Sequence, residues 1–97
     1  MKQLYLCGAI SNNPHYKQDF EEAGTRLIEA GYSVVSPVMF CNEKWSWKKC
    51  IRKCIEVMVR NKNLAIALIE NDYKSEGRTL ELIIARILDL EIKTVSE

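Results

Sequence analysis

No stretch of this chain is apolar for long enough to span a bilayer, and no signal-peptide pattern precedes the first strand-like run. Membrane-embedded and secreted classes are set aside on that ground, and the cytoplasm is the expected compartment. An excess of charge is also missing: 14 basic side chains against 13 acidic ones leave a formal net charge of +1. Such a balance carries no electrostatic footprint for nucleic acid or for a membrane surface. One local exception, Lys48, Lys49, Arg52 and Lys53, recurs at helical spacing and fits a solvated helix face. Histidine is nearly absent, with His15 alone, and this limits metal chemistry. Cys50 and Cys54 stand one helical turn apart, but Cys41 and His15 are a poor pair to complete a tetrahedral set around them. Without a secretory signal a disulfide framework has little support. The four cysteines, Cys7 included, are therefore expected as small buried apolar side chains, with no metal. Repeats, linkers and low-complexity tracts are lacking too, so 97 residues make one domain, 1–97.

What the chain does have is alternation. Residues 2–7 read as a first strand, in which Leu4, Tyr5, Leu6 and Cys7 make a short apolar run suited to burial on both faces of a sheet. The run breaks at Gly8, after which Asn13 and Pro14 read as the cap and first residue of a helix. Tyr16, Phe20, Ala23 and Leu27 place one apolar face on that helix, and Gly31 closes it. A second strand at 32–35 ends at Ser36-Pro37, followed by a loop over 38–44. A helix over about 45–61 turns Trp47, Cys50 or Ile51, Cys54 and Met58 inward. A third strand at 64–69, a helix to about residue 90 and a short strand at 92–95 complete the order. Crossovers of this length imply right-handed connections in a parallel sheet. The expected fold is α/β: a flavodoxin- or Rossmann-like three-layer sandwich with a four-stranded, mainly parallel sheet in the order 2-1-3-4.

That order puts the topological switch point between the first and third strands, where α/β proteins bind ligands. Two turns open there. One runs from Gly8 through Ala9, Ile10 and Ser11 to Asn12 and Asn13; the other leads through Asp72 to Ser75 and Gly77. Ser75 is placed to cap the following helix, and Gly77 to let backbone approach a ligand. Glu81 lies one to two turns in, between Leu80 and Leu82, where burying a carboxylate is costly without a partner or a task. The plain alternative for Glu81 is a partly exposed side chain paired with Arg78. Tyr5 suits core packing by position, and Trp45 and Trp47 suit either a stacked base or a loop-to-helix anchor.

The motif Tyr5-Leu6-Cys7-Gly8-Ala9-Ile10-Ser11, with Ser75-x-Gly77-x-x-x-Glu81-x-x-x-Ala85, resembles the nucleoside 2-deoxyribosyltransferase-like superfamily over essentially the whole chain. Within it the likeness is to the short 2'-deoxynucleoside 5'-phosphate N-hydrolase-like domains, often phage-encoded. The resemblance implies N-glycosidic chemistry. The glutamate matching Glu81 attacks the anomeric carbon, the base leaves, and water or a second base resolves the covalent sugar, as in retaining glycoside hydrolysis. It assigns Gly8, Ala9, Ile10, Ser11 and Asn12 to wrapping the nucleotide, and Ser75 to holding its 5' end. Tyr5, Asp72 and Gly77 join them as ligand-binding candidates. Homodimers or larger homo-oligomers are also implied, and the last helix, with Leu82, Ile83, Ile84, Ile87 and Leu88, is apolar on more than one side.

Three positions depart from that pattern. The aspartate expected on the helix before the third strand is replaced in a stretch whose only acid is Glu56, with Cys54 or Ile55 in register. Asn63 stands where an aspartate usually opens the third strand, and Ser11 replaces a phosphate-binding arginine. Two function classes follow: a nucleoside- or nucleotide-binding enzyme that cleaves or transfers the N-glycosidic bond through Glu81, and a non-catalytic nucleotide binder that sequesters or senses a signal. The expected ligand is a small-molecule nucleoside or nucleotide. No cofactor, membrane or nucleic-acid partner is expected.

Overall fold

The computed structural model describes residues 3–10, 13–42, 44–70 and 75–95. Ser11, Asn12 and Asp72 lie outside the described residues. The elements run β1 Gln3–Cys7, α1 Tyr16–Glu29, β2 Ser33–Val35, α2 Pro37–Phe40, α3 Trp47–Arg60, β3 Leu64–Leu68, α4 Glu76–Ile87 and β4 Ile92–Thr94. The four strands form one sheet in the order β2-β1-β3-β4, and every pair is parallel. β1 is central, with Tyr5 opposite Val35 on one side and Ile66 on the other.

Alternation along β1 and β3 divides the core in two. Leu4, Leu6, Ala65 and Ala67 face α1, where Phe20 and Ala23 are buried against them and Tyr16 and Leu27 complete the cluster. Tyr5, Cys7 and Ile66 face the opposite layer, packed by Cys54 and Met58 of α3 and Ala85 of α4. The two layers of helices with the sheet between them are the three-layer α/β arrangement the periodicity predicts.

Most elements run one to three residues shorter than expected, and two departures have a clear local cause. The first helix starts at Tyr16 rather than Pro14: the Asn13 carboxamide accepts from the His15 N–H at 2.9 Å and donates to the Ala9 carbonyl at 3.1 Å, which makes a turn of residues 13–15. The stretch expected as a loop after Pro37 contains the short helix α2. Ser36 caps it, accepting from the Val38 N–H, and Pro37 takes the first helical position. Gly31 does adopt a positive φ of 96° directly after the C-cap of α1.

The cysteines also need correcting. Cys7 and Cys54 are buried free thiols, but Cys41, the C-cap of α2, is disulfide-bonded to Cys50 in the first turn of α3. The return of α2 toward α3 brings these two together, and α2 is the element that sequence spacing does not show.

Candidate functional site

A cavity of about 650 Å³ opens where the carboxyl ends of β1 and β3 meet the N-termini of α1, α3 and α4. Its volume is within the usual range for small-molecule sites. Gly8 and Ile10 line it from the turn after β1, with Tyr16 and Lys17 from the start of α1. Pro37 and Val38 of α2 line it as well, with Trp45 and with Trp47, whose indole nitrogen lies beside Gly77. Ser75, Gly77, Arg78 and Glu81 supply the α4 side. The described ends of the two turns predicted to share a crevice, at Gly8 and Ile10 and at Ser75 and Gly77, therefore line the same cavity. Tyr5 and Ala9 are fully buried and stand behind the lining residues.

Ser75 is in extended backbone conformation and its hydroxyl accepts from the Arg78 N–H at 3.2 Å, so it is the helix cap the sequence predicts. Thr79 fastens the same turn, donating its hydroxyl to the Ser75 carbonyl at 3.1 Å. Gly77 has a second reason to be glycine. A Cβ there would stand 3.1 Å from Ile51 Cδ1, so its small size sets how closely α4 approaches α3. Gly8 is tighter still, because a Cβ would meet Ile69 Cβ at 3.1 Å and the Phe20 ring at 3.3 Å.

Glu81 is 5% exposed and lines the cavity, which sets aside the alternative of a partly exposed surface glutamate. It projects from α4 toward β1, where the Tyr5 hydroxyl donates to its Oε2. The Cys7 thiol is 3.7 Å from its Oε1 and 3.8 Å from the Arg78 carbonyl, and can donate to one of them at a time. Burial pushes the Glu81 carboxyl up to about 7, while hydrogen bonds from Tyr5, Cys7 and Cys54 hold it down against that rise. The surrounding weak acids move the other way from ionisation. Burial, reinforced by the Glu81 charge, pushes the Tyr5 hydroxyl and the Cys7 thiol well above their ordinary values, and the Cys54 thiol up to about 12. At neutral pH these three remain protonated donors around one carboxyl whose hold on its proton burial has strengthened.

A model described as a domain of unknown function (DUF4406) matches residues 2–94. The chain belongs to this family. No curated protein matches it. The DUF4406 match spans the sheet, the helices and both cavity turns, so the cavity is a feature of the matched domain and not of an appended segment.

Lys17, Asn42 and Val38 also line the cavity, and sequence reasoning misses all three. Lys17 has one usable signal, its place in the first turn of the helix that follows the β1 loop. Asn42 and Val38 have none, since their position depends on α2. Glu56, the only acid on α3, is turned to Lys53 at 3.7 Å and Arg60 at 3.2 Å and does not line the cavity. Cys54 occupies the stretch where the resemblance expects an aspartate, and it adjoins Glu81. Among the described residues no helix is long and apolar enough to cross a membrane.

Proposed function

We propose that this cavity binds a nucleoside or its monophosphate, and that ionised Glu81 attacks the anomeric carbon of the sugar. The observation that carries the reading is a single buried carboxyl on the cavity wall, oriented by a hydroxyl donor from the central strand. A nucleophile of this kind must be rigid, accessible to the ligand and ionised for part of the time at neutral pH. In the first step the sugar–base bond breaks as an ester to Glu81 forms, and the leaving nitrogen takes a proton. In the second, water attacks the same carbon, gives up a proton and returns the carboxylate. The first turn of α4, capped by Ser75, offers its amides to the 5' end. Trp47, together with Trp45, whose ring carries the Lys49 ammonium 4.4 Å from its centroid, lines the cavity and is the aromatic surface for the base.

A specific observation supports the second reading, a binder that does not cleave. Glu81 is the only acidic side chain lining the cavity among the described residues. If general acid help from a second carboxylate is missing, as it is among the described lining residues, turnover falls by the 10²–10⁴ or so that such catalysis supplies. The assay that separates the two is incubation with deoxynucleosides and their monophosphates, reading free base by chromatography and retained ligand by mass spectrometry. Free base supports the enzyme; retained intact ligand supports the binder; neither removes both.

The reading includes a second copy of the chain. Ile83 and Ile87 of α4 and Leu88, its C-cap, are 46%, 74% and 42% exposed, while Leu82 and Ile84 pack against the core. A homodimer through α4 would cover that apolar surface.

A further inference from the structure

Three sulfurs converge on the wall of the cavity, and the proposed sugar chemistry uses none of them as a ligand. Cys41, Cys50 and Cys54 have Sγ atoms that all lie within 4.8 Å of one another. Two of these cysteines make the disulfide, but the third is left over: Cys54 Sγ is 4.0 Å from Cys41 Sγ and is free. A wall stapled by a disulfide needs two cysteines, and a third thiol at van der Waals distance adds nothing to it. Three thiols around one point are the donor set of a thiophilic cation.

We propose that the reduced protein binds one zinc-like divalent cation through Cys41, Cys50 and Cys54. A tetrahedral site with zinc–sulfur bonds of about 2.3 Å places its sulfurs about 3.8 Å apart, close to the Cys41–Cys54 separation. The ligands come from two elements held at fixed spacing. Cys50 and Cys54 are one turn apart on α3, and Cys41 closes α2, its N–H held by the Pro37 carbonyl at 2.8 Å. All three residues line the cavity. The fourth vertex is therefore open to water or to a ligand atom, which is the arrangement of a reactive zinc site and not of a closed structural one. A dithiol reductant opens the site: its two thiols become a disulfide as Cys41 and Cys50 become thiols. Cation binding then releases three protons from the three sulfurs. Disulfide and metal are thus mutually exclusive states of one cluster.

This inference does not depend on the nucleoside reading, and its test reads no base release. The full chain is reduced, freed of metal and titrated with Co²⁺ under argon, with absorbance as the readout. The expected result is a thiolate-to-cobalt charge-transfer band with tetrahedral d–d bands, saturating at one Co²⁺ per chain and displaced by Zn²⁺. The same protein oxidised to the Cys41–Cys50 disulfide must show no band, a control that needs no substitution. Cys41→Ser and Cys50→Ser alter half-buried positions, so the core is not emptied. Each must weaken binding by more than the roughly 10–100-fold that loss of an outer partner costs. Absence of the band in the reduced chain, its persistence in the oxidised chain, or unchanged affinity in both variants overturns the proposal.

Discussion

Glu81 is the residue on which the site turns, and its burial has a measurable consequence in the oxidised, metal-free protein. Its carboxyl releases a proton near 4.5 when unfolded and at about 7 when folded. The folded state thus holds the proton more tightly. Its advantage is complete below about pH 4.5 and is lost as pH rises through about 7. The difference corresponds to roughly 3 kcal/mol of stability lost across that window. Urea midpoints at pH 5 and pH 8 should show that fall in the wild type, and Glu81→Gln should flatten it. Equal slopes in the two proteins would show that the carboxyl is not held as described. Tyr5→Phe removes the hydroxyl donor to Glu81 and should cost about 1–3 kcal/mol, with the pH dependence displaced upward because the ionised form loses its best partner. Hydroxyl and carboxyl are 76 residues apart in sequence. Each is legible alone, Tyr5 as core and ligand-binding candidate and Glu81 as a candidate site residue. Their pairing is not, because no local pattern carries a contact of that length.

At the scale of elements, the two glycines of the cavity predict unequal tolerances. Gly8→Ala drives a Cβ against Ile69 and the Phe20 ring, both fixed in the core, and overpacking of this kind typically costs about 1–3 kcal/mol. Gly77→Ala meets the mobile end of Ile51 and should cost less, although it narrows the α3–α4 groove that lines the cavity. Thermal unfolding of the two variants ranks them directly, and a larger loss for Gly77→Ala contradicts this packing of the two turns. Ser75→Ala removes the cap of α4 and should cost about 1 kcal/mol. The long elements are legible because their apolar residues recur at 2.0 or 3.6 residues over several turns. α2 is not, since four residues are too few for a period. Its signature, Ser36 followed by Pro37, is equally that of a strand ending in a turn. The sulfur cluster is lost with it: spacing shows Cys50 and Cys54 on one helix face, but only α2 returns Cys41 to them.

For the whole molecule, the strand order follows from the alternation of elements, and with it the edge of the sheet where the cavity lies. What the cavity holds does not follow, because the parallel α/β frame accommodates many ligands. The exposed apolar face of α4 predicts self-association, and sedimentation should find a dimer at tens of micromolar, with Ile87→Glu shifting it to monomer. A wild-type monomer at that concentration contradicts the α4 interface. The central claim is that Glu81 forms a bond to sugar. Deoxynucleoside monophosphates incubated with wild type and with Glu81→Ala test it most directly, with free base and ligand retention measured on the same samples. The expected result is base release by the wild type, none by the variant, and retained nucleotide in the variant. Equal base release by both proteins, or none by either with nucleotide bound intact by both, would contradict the claim.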